Sequence, residues 1–414
     1  MPLRPLPRDR PASSALSQQA GTLLRRAIPS TGEKLPVIGL SFSNHPSCAA
    51  QAALKEVLET FADNGGAVFD ALHVNGSSEE FHATAANQLG IQSKLFWSTR
   101  GAPPGGPGGP PQPGPAVAKA HVEMLLTRLK ATKLDLVMVN PQGDPTHLGA
   151  LSEMKAQGRI RYIGVQTIAD AGYDALESVM SKEPIDFIGV DYDVGNRARV
   201  EDTILPLARE RKIAVMAFFP SGNNGGFSCS SGSNLFGRVG DRPLPDWAAE
   251  FDAKSWAQFF LKYVISHPAV TVARVGTTKA EHMLDNLGGG IGRLPDEATR
   301  QRMAAWIDAL PAAPAPVPPK PAPRAPGLAL SAAVLDRYVG EYEAASGFTM
   351  TFRRDGTTLL VKPGANPEAP LAARSETRFS DPRGPAIEFQ LDAQGKVTGL
   401  VLEQGAQRTP LERK

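Results

Sequence analysis

The sequence predicts an α/β chain in which eight strand–helix units precede a small antiparallel β-domain. Three observations carry this. Short apolar runs alternate with amphipathic or helix-forming stretches from residue 36 to residue 309. One unit is visible whole in residues 134–167, LDLVMVNPQGDPTHLGALSEMKAQGRIRYIGVQT. It holds an apolar run at 134–139, a polar helical segment, Gly158 as a stop, and a second apolar run at 160–165. Third, residues 311–327, PAAPAPVPPKPAPRAPG, form a semi-extended Ala/Pro linker that builds no core. Beyond it the pattern changes to closely spaced short strands.

The first strands fall at 37–40, 67–69, 95–98 and 134–139, and the next at 160–165, 187–190, 213–218 and 270–275. Helices are expected at 49–64, 79–88, 116–131, 145–157, 169–180, 200–211 and 253–266, with a last one at 296–309. A (β/α)8 barrel and a doubly wound sheet both alternate in this way. The Gly/Pro tract at 101–115 follows the third strand and reads as a passive insertion, since proline denies it ladder hydrogen bonds. After the linker, a short helix at 331–338 has Ser331 as its N-cap. Strands follow at 348–354, 357–362, 370–374, 377–380, 386–391, 396–402 and 407–411, separated by turns such as Asp355-Gly356. They make a small antiparallel β-barrel or sheet.

Composition narrows the function classes. The 414 residues fit one large domain plus a smaller one, and 42% apolar residues supply a sizeable core. The net charge of +2, with both signs interspersed, gives no footprint for nucleic acid. Cys48 and Cys229 have no metal or redox spacing and read as buried or free thiols, so no metal site is expected. No apolar run approaches the roughly 18 residues of a membrane span. Residues 1–27 read as a disordered tail. Arg25-Arg26 is a twin arginine with no apolar stretch after it. The expected location is therefore cytoplasmic, or periplasmic if a leader precedes this start.

Several motifs resemble the aldo-keto reductase family over residues 28–310. They are Ile28-Pro29-Ser30-Thr31-Gly32-Glu33 with Leu35-Pro36 and Gly39, then Phe69-Asp70 with Gly76 and Glu79. The strand from Arg159 to Val165 follows, then Asp186, Tyr192 and Asn196-Arg197, Leu205-Pro206-Leu207 and Pro220. The last are His267-Pro268-Ala269-Val270-Thr271, Gly276-Thr277 and Asn286-Leu287. The resemblance decides the architecture in favour of a (β/α)8 TIM barrel. Residues 330–414 resemble a lipocalin-like domain appended to some serine β-lactamase-like hydrolases, and read as a binding or packing accessory. A hydrolase reading rests on that company alone.

What the family resemblance implies about chemistry is mixed. The family reduces small-molecule carbonyl compounds with NADP(H), using a Tyr, Lys, Asp and His tetrad. The tyrosine, a proton donor, falls at Asn75, whose carboxamide donates hydrogen bonds but no proton near neutral pH. The lysine falls at Arg100, which keeps the charge and can fork onto Asp70, the retained aspartate. The histidine falls at Asn140. His73 is a loop histidine beside Asn75. On the cofactor side, Gln166-Thr167 replace a Ser-Asn pair, a family glutamine becomes Gly189, and Phe218 stands where an aromatic ring stacks on the nicotinamide. Gly276, Thr277 and Thr278 would cradle phosphate ahead of a helix bearing Asn286. Lys279, His282 and Arg274 would meet a 2′-phosphate, and 222–232 would form a loop over the pyrophosphate. Two expectations follow: a pseudoenzyme impaired in carbonyl reduction, or an active oxidoreductase with altered acid–base groups.

Overall fold

The computed structural model describes residues 21–42, 48–71, 78–101, 114–168, 170–222, 234–311, 328–344, 347–364, 368–380, 386–404 and 407–414. Asn75, His73, Gly76 and Cys229 lie outside them, as do most of the Gly/Pro tract, the 222–232 loop and the linker.

An antiparallel hairpin comes first, β1 (Arg25–Ala27) with β2 (Lys34–Pro36). Eight parallel strands then close a barrel. They are β3 (Ile38–Ser41), β4 (Val68–Asp70), β5 (Phe96–Arg100), β6 (Leu134–Val139), β7 (Ile160–Thr167), β8 (Phe187–Asp191), β9 (Ala214–Phe218) and β10 (Val270–Gly276). Helices α1 (Cys48–Asp63), α2 (Ser78–Gln88), α3 (Pro115–Arg128), α4 (Pro145–Ala156), α5 (Tyr173–Lys182) and α6 (Leu205–Glu210) connect β3 through β9. Between β9 and β10 lie α7 (Leu235–Val239) and α8 (Trp256–Ser266), and α9 (Ala280–Gly289) and α10 (Glu297–Asp308) follow β10.

Local chemistry explains the boundaries. Asp144 caps α4 by accepting from the Thr146 N–H at 2.8 Å, and Pro145 takes the first helical position, where no donor is needed. Gly158 follows the other end of the same helix with φ of 75°, a left-handed conformation that costs glycine little. β8 and β9 are buried at every residue, so apart from Asp191 at the end of β8 they carry no polar side chain and do not alternate.

The hairpin under the barrel departs from the sequence reading, which extends the tail to residue 27. Ile28 and Leu35 join the barrel's interior cluster. Arg26 donates from Nη1 to the carbonyls of His267 at 2.8 Å and Val270 at 2.5 Å. The twin arginine therefore has a structural use. Its strand is too polar to be legible locally, because bonds 241 and 244 residues away hold it.

The C-terminal domain starts with α11 (Ala332–Asp336), capped by Ser331. Its strands are β11 (Gly340–Glu343), β12 (Thr349–Asp355), β13 (Thr358–Pro363), β14 (Ala369–Ala373), β15 (Arg378–Ser380), β16 (Ala386–Leu391), β17 (Val397–Gln404) and β18 (Gln407–Arg413). Neighbours are antiparallel, and β18 returns to β11 to close a second barrel. β11 is the closing strand that the sequence reading lacked. It buries a single residue, Tyr342, so no alternation announces it. The interior is packed with rings. Tyr338 stacks on Phe389 at 4.3 Å, and Phe352, Tyr342 and Phe379 meet Phe389 edge-on at 5.1, 5.6 and 5.6 Å.

Candidate active site at the barrel mouth

Strand phase selects the residues that face the interior of the parallel barrel. Val68 lies opposite Phe96, Leu136 opposite Tyr162, and Met216 opposite Val272, and all belong to the interior cluster. Two or four residues further along, in the same phase, stand Asp70, Ser98, Arg100, Gln166, Asp191, Phe218 and Arg274. They gather at the C-terminal ends of the strands, the end of a (β/α)8 barrel where chemistry is built.

Asp70 is fully buried and its carboxylate is held from two sides. Arg100 forks onto it, Nη1 to Oδ1 at 2.8 Å and Nη2 to Oδ2 at 3.0 Å. Arg274 donates from Nη1 to Oδ2 at 2.6 Å. Burial alone would raise the Asp70 carboxyl, but the Arg100 and Arg274 guanidiniums outweigh it and hold it down to about 2. Burial in turn lowers the Arg274 guanidinium, with Asp70 opposing, and an arginine stays charged in a protein. The cluster is two cations around one anion. The pairing of Asp70 with Arg100 matches the sequence expectation. Arg274, which the sequence left free to meet a cofactor phosphate or to point elsewhere, turns inward onto a carboxylate 204 residues away.

Phe218 lies beneath this cluster. A Cβ on Gly189 would come within 2.4 Å of Phe218 Cζ and 2.9 Å of Gln166 Cβ, so the missing side chain is what admits the ring. The Arg274 guanidinium lies 4.1 Å from the Phe218 ring centroid, and that of Arg100 lies 5.9 Å away. Phe218 has no exposed surface. Phe219 follows at φ of 50°, a left-handed conformation uncommon for an aromatic residue, and lies 5.5 Å from Arg274.

Asp191, at the end of β8, is a site residue that the sequence reading passed over. It is buried, and its Oδ1 makes no hydrogen bond within the protein. Burial first, then Asp193 and Asp170, push its carboxyl up to about 7, against the opposing side chain of Asn196 and the charge of Arg274. The signal was its phase, two residues beyond Gly189 and four beyond Phe187 on one apolar strand. Ser98 Oγ, Gln166 Oε1 and Arg274 Nε are buried and unbonded as well. Such atoms are rare in a folded interior and mark a place completed by a polar ligand or solvent.

The other expected residues are dispersed. Asn140 is exposed and closes a turn, its Oδ1 accepting from the Gln142 N–H at 2.9 Å and its carbonyl from the Gly143 N–H at 3.0 Å. Thr167 is out of phase with Gln166 and packs against the Gly172 turn, where an added Cβ would meet its Oγ1 at 2.2 Å. Gly276, Thr278, Lys279 and His282 are exposed around the start of α9, and Thr277 Oγ1 accepts from the Lys279 N–H at 3.2 Å. Glu281 lies 3.7 Å from Lys279, which offsets the lysine's positive charge, and 3.9 Å from His282. Asn286 is buried on α9.

Ser152 and Lys155 have a serine-to-lysine spacing of three. However, Ser152 donates to the Leu148 carbonyl and Lys155 pairs with Asp186 at 2.6 Å, so they do not engage each other. Among the described residues no group of three or more His, Cys, Asp or Glu is placed to hold a metal, and no helix is long and apolar enough to cross a membrane.

The sequence profile of the Aldo/keto reductase family matches residues 38–306. An uncharacterized oxidoreductase, YcsN, of Bacillus subtilis is 25% identical over 168 residues, which is 40% of this chain and 55% of that protein. The aldo-keto reductase str7 of Strobilurus tenacellus is 25% identical over 174 residues, 40% of this chain and 50% of its own. The chain thus spans about half the length of these curated relatives. Among solved structures, an aldo-keto reductase from Klebsiella pneumoniae in complex with NADPH superposes with a TM-score of 0.54 at 20% identity, covering 70% of this chain and 96% of that one. The holo form of AKR11C1 from Bacillus halodurans gives 0.53 at 19% identity, covering 72% and 99%. At these identities the superpositions speak for the fold.

Proposed function

The chain belongs to the aldo/keto reductase family, and from that premise we propose a divergent member impaired in NADP(H)-dependent reduction of carbonyl compounds. One observation carries the reading: Asp70 is closed off by two guanidiniums. In the family resemblance this aspartate supports a lysine that eases proton loss from a tyrosine. Here Arg100 and Arg274 use it up, and neither arginine gives up a proton near neutral pH. Asn140 holds a turn through its Oδ1, and its carboxamide can donate a hydrogen bond to a carbonyl oxygen but no proton near neutral pH.

The fit of the cofactor points the same way. Gln166 Oε1 is unbonded and suits a carboxamide N–H. The nicotinamide ring, however, needs a face of Phe218, and that ring is wholly buried with Arg274 lying on it. The residues at the nicotinamide end do not fit the group as they stand. At the phosphate end, Gly276, Thr278 and Lys279 are exposed.

A second reading, an active oxidoreductase with altered acid–base groups, is favoured by Asp191 alone. An inward carboxyl raised to about 7 is the kind of group that exchanges a proton near neutral pH. NADPH consumption with a reactive aldehyde separates the two. Loss of a general acid lowers rate by about 10²–10⁴, so the expected turnover lies that far below an ordinary enzyme's roughly 10 s⁻¹. Turnover near 10 s⁻¹ that disappears in Asp191→Asn would establish the second reading and end the first. For the C-terminal barrel we propose a packing role, with lipocalin-like shape but an interior already filled by its own rings.

A further inference from the structure

We infer that Arg274 occupies the nicotinamide place of this barrel, so that the protein discriminates against the nicotinamide half of a dinucleotide. The inference deepens the reading above and rests on it. The guanidinium is a flat cation of about the right shape to lie on an aromatic ring, and it lies 4.1 Å from the centroid of Phe218. Asp70 fixes it there at 2.6 Å. Gly189 has given up the side chain that would keep Phe218 out of the interior. Phe218 has no exposed surface, and Arg274 is almost as deeply buried. A nicotinamide ring can enter only after Arg274 leaves both Asp70 and Phe218. At the start of α9, by contrast, Gly276, Thr278 and Lys279 are exposed.

Calorimetric titration of the full chain tests this with two probes. NADPH carries the nicotinamide, and adenosine 2′,5′-bisphosphate carries the adenosine and 2′-phosphate without it. The wild-type protein should bind the two within about threefold of each other, the nicotinamide half adding almost nothing. In Arg274→Ala, NADPH affinity should rise by about tenfold or more while that of the bisphosphate stays within about twofold. Arg274→Lys keeps the charge beside Asp70 but removes the flat plate, so it guards against a folding failure and should show a smaller gain of the same sign. Three results would overturn the inference: a wild-type preference for NADPH above about tenfold, no gain in either variant, or no binding of either probe by any of the proteins. Tight wild-type NADPH binding without turnover would remove the inference and leave the impaired-reductase reading standing. Ordinary wild-type turnover would remove both.

Discussion

The two barrels of this chain each close eight strands, and they fill their interiors in opposite ways. The C-terminal barrel is antiparallel, and its centre is a contact set of Tyr338, Tyr342, Phe352, Phe379 and Phe389. The parallel barrel has an apolar floor with Phe96, Tyr162 and Phe187 in ring contact at 5.6–6.1 Å. Its mouth is different, with a buried carboxylate between two guanidiniums, a second carboxyl beyond, and polar atoms without partners. Stability is best served by the first kind of interior, since apolar side chains need no partners. Polar groups kept buried in the second kind mark the place where selection acted on something other than stability.

Substitutions can break or sharpen that contrast. The largest expected effect is at Asp70. Asp70→Asn leaves Arg274 buried without its counter-charge and should cost the parallel barrel about 3–5 kcal/mol in chemical denaturation. A loss below ~1 kcal/mol would mean that water already reaches the cluster. Because the Asp70 carboxyl is held down to about 2, its contribution is full above about pH 4 and fades as the pH falls towards 2.

Asp191 titrates with the opposite sign. Its folded-state value is raised to about 7 from an ordinary 3.8, so the folded protein binds the proton more tightly than the unfolded chain. Stability is unpenalised below about pH 4, falls as pH rises to 7, and carries the whole cost above that. Asp191→Asn should therefore stabilise the protein by about 2–3 kcal/mol at pH 8 and change it little at pH 4.5. Equal effects at both values, read from melting curves, would show that Asp191 is solvated.

Within the C-terminal barrel, Phe389→Leu should cost about 1–2 kcal/mol by loosening four ring contacts. It should leave the affinity for adenosine 2′,5′-bisphosphate unchanged. A changed affinity would tie the aromatic interior to the mouth of the other barrel and undo the comparison. The smallest effect is expected at Asn140. Asn140→Ala removes a turn hydrogen bond and should cost about 0.5–1 kcal/mol, with no effect on NADPH consumption. A drop in consumption would return Asn140 to the site.

Much of this architecture was legible in advance, for identifiable reasons. The strand of Leu134–Val139, the cap at Ser331 and the left-handed Gly158 each depend on a few adjacent residues. The pairing of Asp70 with Arg100 was legible because they end neighbouring strands. Asp191 was within reach of the phase of β8 and was missed because the apolar run ends at Val190, one residue before it. Arg274 was left with two directions, because the resemblance placed it beside a phosphate-binding segment and an arginine's reach leaves its direction open.

The order of apolar runs, turn residues and caps determined by itself the succession of strands and helices and the change of pattern after the proline-rich linker. Those choices are made over a few residues, where backbone sterics and solvent exclusion dominate. Only the closed structure decided that Arg274 would cross to Asp70 and cover Phe218. Opposite charges buried together must find each other across whatever separates them in sequence, and no local pattern records which partner they find.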